Sequence, residues 1–508
     1  MLTEKDIEQI EKHGLNINQV YGHLEIFKRG IPFANIVTTA SAGNGIQLLS
    51  SEEQKGLDAF YESNKDKLDI VKFVPASGAA TRMFQFLHEF LDNYDPESRL
   101  FRDYVKKYPN TDLLTFFNSS SDFAFINLVR KKIRENYPNY KKSSKGQRYY
   151  YFAKAMLDED GLNFDHMPKG LIPFHKYIKY ATTAFEEQLY EAAYYASAGD
   201  DVYLHFTFSE KHLPYFKEKY ESIIKRVSRQ TKKTFHISYS FQKSETDTLA
   251  VTPENLPHRD ATGNLVFRPS GHGALLENLN NVNADIVFVK NIDNVAAREY
   301  IDEIAFHKKV LAGKLLQLQA KIFRYIKELE GEVSSDLVKE IQSFIWNDLN
   351  VKDIPQGVSA TREFLNRPLR VCGVVKNTGA PGGGPFWVKD EAGVSSLQIV
   401  EKSQIDLKNK HHIAVINEAT HFNPVDLVCG LRDYLGNKFD LTLYANPNTG
   451  FISKKYDNGK PIKALELPGL WNGAMDNWNT VFVEVPNITF NPVKSVNDLL
   501  KKEHRPNA

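Results

Sequence analysis

The sequence predicts an α/β fold, a Rossmann-like mixed and largely parallel sheet that carries a helical insertion and a C-terminal extension. Three observations predict it. The stretch VKFVPASGAATRMF, Val71 to Phe84, reads as strand, tight turn and helix. Val71, Phe73 and Val74 form a short apolar run, Pro75 to Gly78 break it, and Met83, Phe86, Leu87 and Phe90 recur at the spacing of one helical face. From residue 200, strand-like and helix-like segments alternate as VYLHFTF, a helix after Ser209, FHISYSF and ADIVFVKN, the order of βαβ units. Residues 84–165 are helical in pattern and rich in aromatic and basic residues, which predicts an insertion rather than more sheet.

Residues 3–13 and 51–63 have the pattern of surface helices, the second opened by a Ser51-x-x-Gln54 capping box. A long amphipathic helical region is expected over 296–348, and a second strand-rich portion begins at Arg370. The loop GAPGGGP, 379–385, is too glycine-rich for core; it is either a flexible surface turn or a place where a ligand nears the backbone. The expected division is a helical segment 1–66, a catalytic domain 67–445 with the insertion at 85–165, and a C-terminal segment 446–508.

With 508 residues and 42% hydrophobic content, the chain can bury a large core or two to three smaller ones. Its net charge of +1 creates no broad field toward nucleic acid or an acidic membrane, so any phosphate binding must be local. The basic aromatic block 126–155 reads as solvated charge on an insertion, since acids are interspersed. The opening MLTEKDIEQIEKHG carries acids early and has no apolar core, which argues against a secretory leader, and no apolar run is long enough to cross a bilayer. Cys372 and Cys429 sit in apolar runs without metal-ligand spacing, as buried reduced thiols would, and a cytoplasmic location is expected.

Five stretches carry chemistry. The turn after Val74 presents backbone N–H groups at a helix start, and Arg82 adds a planar fork of donors that matches phosphate oxygens. MPKGLIPF sets Lys169 between a proline and a glycine, where it can reach a phosphate. FRPSGHGAL flanks His272 with glycines, allowing backbone to lie close to a flat base. DIVFVKNIDN is an apolar strand ending in Asn291, Asp293 and Asn294, at the strand end where ligands bind in open α/β sheets. FNPVKSVNDL places Lys494 after a proline-bounded turn. One acid, three cations and several glycine turns are the inventory for handling a nucleoside triphosphate with Mg²⁺. Each group has a plainer reading beside it: Asp293 as a helix cap, the lysines as solvated charges, Glu401 as a salt-bridge partner and His421 as an interior histidine.

In this order the stretches resemble the nucleotide-diphosphosugar transferase superfamily (GT-A-like), especially eukaryotic-type UDP-sugar pyrophosphorylases. The resemblance covers residues 71 to 500. It rests on Gly78-Ala79-Ala80-Thr81-Arg82, Pro168-Lys169-Gly170, Pro269-Ser270-Gly271-His272-Gly273, Asn291 to Asn294 and Pro492-Val493-Lys494. Phe241-Gln242, Val400-Glu401 and the Asn417 to His421 stretch add to it. The resemblance implies a transfer of a nucleotidyl group from a nucleoside triphosphate, expected to be UTP, to a sugar 1-phosphate, with pyrophosphate released. It implies catalytic roles for Arg82, Lys169 and Lys494, and nucleotide contacts at Ser77, Gly78, Ala79, Ala80, Thr81, Gln242, Gly271, His272 and Gly273. Sugar contacts fall on Asn291, Glu401, Asn417 and His421, and Asp293 becomes the Mg²⁺ ligand. Small-molecule partners are implied, with neither nucleic acid nor membrane. Ala79 and Ala80 stand where the family has glycines, and from them follows an alternative, a nucleotide or nucleotide-sugar binding protein without turnover.

Overall fold

A computed structural model describes residues 2–78, 80–98, 100–379 and 383–506. The chain divides into two compact units, one of Met1–Phe73, Ser240–Val289 and His307–Pro486, the other of Val74–Tyr239, Lys290–Phe306 and Asn487–Ala508. The fold is mixed α/β with a mostly parallel sheet, as the sequence predicts.

In the first unit, neighbouring strands run in the order Ser41–Ala42, Gly45–Gln47, Asn479–Glu484, Leu369–Lys376, Asp426–Gly430, Ile286–Lys290 and Ile70–Pro75. Leu369–Lys376 pairs in parallel with Asn479–Glu484, and Ile286–Lys290 with Ile70–Pro75, while Asp426–Gly430 runs antiparallel to Leu369–Lys376. Parallel strands covered on both faces read as unbroken apolar runs, and every residue of Ile286–Lys290 and of Asp426–Gly430 is buried. Phe73, Val287, Val289, Cys372, Val374, Leu427, Cys429 and Phe482 form one core with Leu275, Leu279, Leu470 and Met475. Each such side chain contributes about 1.5–3 kcal/mol on burial. Burial pushes the Cys372 thiol up to about 11 and the Cys429 thiol further, so both sulfurs are packing groups.

The N-terminal helices are Glu4–His13, Ile17–Arg29 and Ser51–Asn64, the second of which the sequence reading passed over. The third is capped differently from expectation. Ser50, in extended conformation, is the N-cap and forms the capping box with Glu53, whereas Ser51 is already helical and cannot serve. The 296–348 region resolves into Ile301–Glu328 and Ser335–Asn347. Of the glycine-rich loop, Ala380 to Gly382 lie outside the described residues, and Gly384 already begins the strand Gly384–Lys389, paired with Ser395–Val400.

The second unit holds the strand Asp201–Phe208, neighboured by Ser197–Ala198 and by Thr234–Phe241, with Leu213–Thr231 connecting the long strands. Its helices Gln85–Asn93, Phe101–Lys107, Thr111–Asn118, Ile126–Asn136 and Lys145–Leu157 bury Phe86, Phe90, Tyr104, Phe116, Phe117 and Phe152. Phe90 sits at their centre, its ring 5.0 Å from Tyr94, 5.4 Å from Tyr104 and 5.6 Å from Phe117. The basic residues face acids: Lys132 pairs with Glu135 and Lys154 with Asp158. Among the described residues no helix is long and apolar enough to cross a membrane.

At the start of the crossing segment Lys290–Phe306, Lys290 Nζ donates to both Glu191 oxygens at 2.9 Å, and both side chains are buried. Lys290→Met is expected to cost about 3–5 kcal/mol of stability because it strands a buried carboxylate, whereas Lys290→Met with Glu191→Leu should recover most of the loss. Urea midpoints of the single and double variants check this.

Candidate functional site

In the second unit the turn after Ile70–Pro75 leaves the sheet once the Ala76 N–H has bonded the Thr207 carbonyl at 2.8 Å. Ser77, Gly78, Thr81 and Arg82 are exposed, while Ala80 is fully buried, so its methyl points into the protein. Ala79 lies outside the described residues. Thr81–Phe84 forms one 3-10 turn ahead of Gln85–Asn93, and no side chain caps it. Arg82 makes no ion pair or hydrogen bond among the described residues. The Lys169 N–H donates to the Gly78 carbonyl at 3.2 Å, which ties the two predicted phosphate stretches together through backbone.

Lys169 opens a 3-10 turn whose next residue, Gly170, presses on Ile292; a Cβ there would come within 2.7 Å of the Ile292 side chain. The glycine of Pro-Lys-Gly is therefore a packing requirement, and satisfying it places Lys169 beside the residue after Ile292. Lys169 Nζ donates to Asp293 Oδ2 at 2.6 Å. Lys494 belongs to the same group: burial and the Lys169 charge push its ammonium below the usual range, while Asp293 opposes them. Asp498 and Lys501 act on the same ammonium, so three lysines face two carboxylates and the group is left net positive, suited to a polyanion.

Asp293 caps no helix, since the next helical turn, Arg298–Tyr300, has Ala297 at its N-cap. The structural asparagine is Asn294, whose Nδ2 donates to the Thr489 carbonyl at 3.3 Å and whose Oδ1 accepts the Asn491 N–H at 2.7 Å. Asn291 is half-buried, and its carbonyl accepts Gln188 Nε2 at 2.9 Å. No group of three His, Cys, Asp or Glu side chains gathers as a metal site among the described residues, so Asp293 stands as a single carboxylate.

In the first unit His272 is held on three sides. Its ring stacks on Trp471 with centroids 3.9 Å apart and planes 4° apart. The Leu470 N–H donates to His272 Nδ1 at 3.0 Å, which makes Nδ1 the acceptor and leaves the proton on Nε2, 3.2 Å from Glu401 Oε1. Burial would raise the Glu401 carboxyl, but hydrogen bonds from His272 and from the Trp471 indole hold it below the usual 4.5. Two turns meet at this point. A Cβ on Gly273 would lie 2.5 Å from the Pro468 carbonyl, and one on Gly469 would lie 2.1 Å from the His272 ring.

The predicted base and sugar residues are distributed as follows. His272 and Glu401 are bonded to each other; Gln242 is half-buried with an amide nitrogen that has no partner among the described residues. His421 is buried and bonds Glu484 at 2.7 Å and Thr420 at 2.8 Å, and Asn417 is an exposed last residue of Lys410–Asn417. Neither of the last two is hydrogen-bonded to His272 or Glu401. The loop Pro468 to Gly473, which supplies Trp471, was not anticipated. Its signal was a tryptophan bracketed by glycines in LPGLWNGAM, the same kind of tight-turn pattern that marked Gly271 to Gly273.

The sequence profile of a domain of unknown function, DUF4301, matches residues 3–505. The chain belongs to the DUF4301 family. No curated protein matches this DUF4301 chain in sequence. Among solved structures it is similar to the UDP-glucose pyrophosphorylase of Leishmania major, at 12% identity and TM-score 0.44, over 99% of this chain and 78% of that one. It is also similar to the uridine diphosphate N-acetylglucosamine pyrophosphorylase of Trypanosoma brucei, at 12% identity and TM-score 0.47, over 95% and 74%.

The depressed Glu401 carboxyl has a consequence for acid stability. With a folded value below the unfolded 4.5, Glu401 stabilises the fold above about pH 4.5 and loses that contribution as pH falls through its folded value. Glu401→Gln is therefore expected to lower stability at neutral pH and to flatten the decline between pH 5 and 3, about those limits, as read from urea midpoints across that range.

Proposed function

We propose that this chain is a sugar-1-phosphate nucleotidyltransferase, joining a nucleoside triphosphate to a sugar 1-phosphate with release of pyrophosphate. The observation that carries the reading is the second unit's cluster, in which Lys169 Nζ donates to Asp293 just after the strand Ile286–Lys290 and the charges of both act on Lys494. Nucleotidyl transfer needs little proton chemistry, because the attacking group is already a phosphate oxygen. A sugar phosphate oxygen forms a bond to the α-phosphorus as the bond to the β-phosphate oxygen breaks, and the electron pair leaves on pyrophosphate. Positioning and charge neutralisation supply most of the rate.

Lys169, Arg82 and the backbone of Gly78 take the triphosphate in this reading, and Lys494 steadies the sugar phosphate. Asp293 is paired with Lys169. A triphosphate offers that lysine a stronger anion, which frees the carboxylate. One carboxylate with phosphate oxygens and water is a normal Mg²⁺ environment, so Asp293 fits the ion when substrate is present. The metal supplies charge neutralisation between two approaching polyanions. In the first unit the face of the His272–Trp471 pair is a flat surface suited to a nucleobase. Glu401 is already engaged by His272 and Trp471, and its proposed sugar contact uses the remaining acceptor capacity.

A reading without turnover, a nucleotide or nucleotide-sugar binder, is favoured by Ala79 and Ala80, which stand where the resembled family has glycines. Purified chain with Mg²⁺, each nucleoside triphosphate and a panel of sugar 1-phosphates separates the two. Pyrophosphate release is expected; stabilisation by UDP-sugars in thermal unfolding with no pyrophosphate from any combination would leave only the binder. Asp293→Asn preserves shape and removes the charge, so turnover should fall on the order of 10²-fold or more with the unfolding temperature nearly kept. Lys169→Met removes a phosphate partner and should weaken triphosphate binding roughly tenfold, measured by equilibrium dialysis.

A further inference from the structure

Arg370 is fully buried in the first unit, and among the described residues no carboxylate lies within ion-pair distance of it. Asp476 feels its charge: burial raises that carboxyl, and the Asn446 hydrogen bond and Arg370 draw it back. Hydrogen bonds to neutral acceptors hold the guanidinium. Nε donates to Thr480 Oγ1 at 2.8 Å, Nη1 to the Trp471 carbonyl at 2.7 Å, and Nη2 lies 3.5 Å from Gln398 Oε1. A buried charge without a counter-ion is costly, and an apolar side chain of the same volume would pack at lower cost. Stability alone does not account for an arginine here.

What the guanidinium reaches is the Trp471 loop. Arg370 and Thr480 are register partners in the parallel ladder of Leu369–Lys376 and Asn479–Glu484, so the donor stands on sheet. Gln398 extends the grip, because its Nε2 donates to the Asp476 carbonyl at 2.8 Å, further along the same loop. The loop then presents the Leu470 N–H to His272 and the Trp471 ring to the imidazole face. A backbone carbonyl held by a charged donor is fixed more firmly than one held by a neutral group.

We propose that Arg370 is a positioning residue for the His272–Trp471 surface, acting through the Trp471 carbonyl; the proposal rests on the reading of that surface as a nucleobase site. Lysine cannot replace it, since a single ammonium on a flexible stem does not span Thr480 and Trp471 with fixed geometry. The charge sets the carbonyl, the carbonyl sets the indole plane, and the indole plane sets the imidazole that Glu401 receives.

The test compares full-length wild type, Arg370→Lys and Thr480→Val. Three readings are taken: thermal unfolding, the near-ultraviolet dichroism of Trp471 obtained by difference from Trp471→Phe, and equilibrium dialysis with UTP, ATP, GTP and CTP. Arg370→Lys is expected to stay folded, to lose the Trp471 signal and to bind the preferred triphosphate about tenfold more weakly. Thr480→Val keeps the charge while freeing Nε and the Trp478 carbonyl that the Thr480 hydroxyl binds at 3.3 Å; it should shift the Trp471 signal and weaken binding about threefold, which decides the matter if Arg370→Lys fails to fold. Wild-type signal and affinity in a folded variant overturn the proposal. Should wild type bind none of the four triphosphates, the nucleobase reading falls, and the Trp471 signal alone then decides whether Arg370 sets the ring.

Discussion

The chain that leaves the strand Ile286–Lys290 has almost no freedom, and the second unit's chemistry follows from that. Lys290 is locked to Glu191, the Ile292 N–H bonds the Pro75 carbonyl at 3.1 Å, and Gln188 takes the carbonyls of Asn291 and Ile292. Asn294 then binds the backbone of Thr489 and Asn491. With its neighbours fixed on both sides, the Asp293 carboxylate has one place to go, and Lys169 is there because Gly170 must sit on Ile292. Asn294 also tethers the segment that carries Lys494, so a single asparagine aligns the second lysine with the same acid. The geometry is a consequence of backbone bonds, which resist small sequence changes nearby better than side-chain contacts do.

The two units handle charge in opposite ways. Around Asp293, Lys169 pairs with the carboxylate and Lys494 feels both charges, so cations outnumber acids there. Around His272, the backbone donor at Nδ1 leaves Nε2 facing Glu401, which takes donors from His272 and Trp471. A neutral, flat and rigid pair of rings presents a π face for stacking, whereas the lysine cluster presents charge.

How much could be read beforehand differs by residue. The parallel strands were legible because burial on both faces leaves an apolar run that composition alone reveals, as in VFVK and RVCGVV. The aromatic block 84–165 was legible as helix; Phe90, Phe116, Phe117 and Phe152 are interior, while Tyr137, Tyr140, Tyr149, Tyr150 and Tyr151 are half-buried. Cap identity failed by one residue at Ser50, since two adjacent serines offer the same side chain and only backbone conformation separates them. Trp471 carried only the glycine bracket of LPGLWNGAM, and Arg370 carried no local signal of its role. Their partners lie about 200 and 101 residues away in sequence, and no short pattern encodes a contact at that separation.

The sequence by itself determined the α/β class, the strand that ends before Asp293, and the residue types available for phosphate, because periodicity and turn chemistry act over a few residues. Tertiary structure alone decided that Asp293 is paired rather than capping, that the Ala80 methyl turns inward, and that His272 is a neutral stacked donor to Glu401. Those outcomes depend on which backbone groups arrive beside a side chain from distant parts of the chain, and only the folded packing of the strands and turns brings them there.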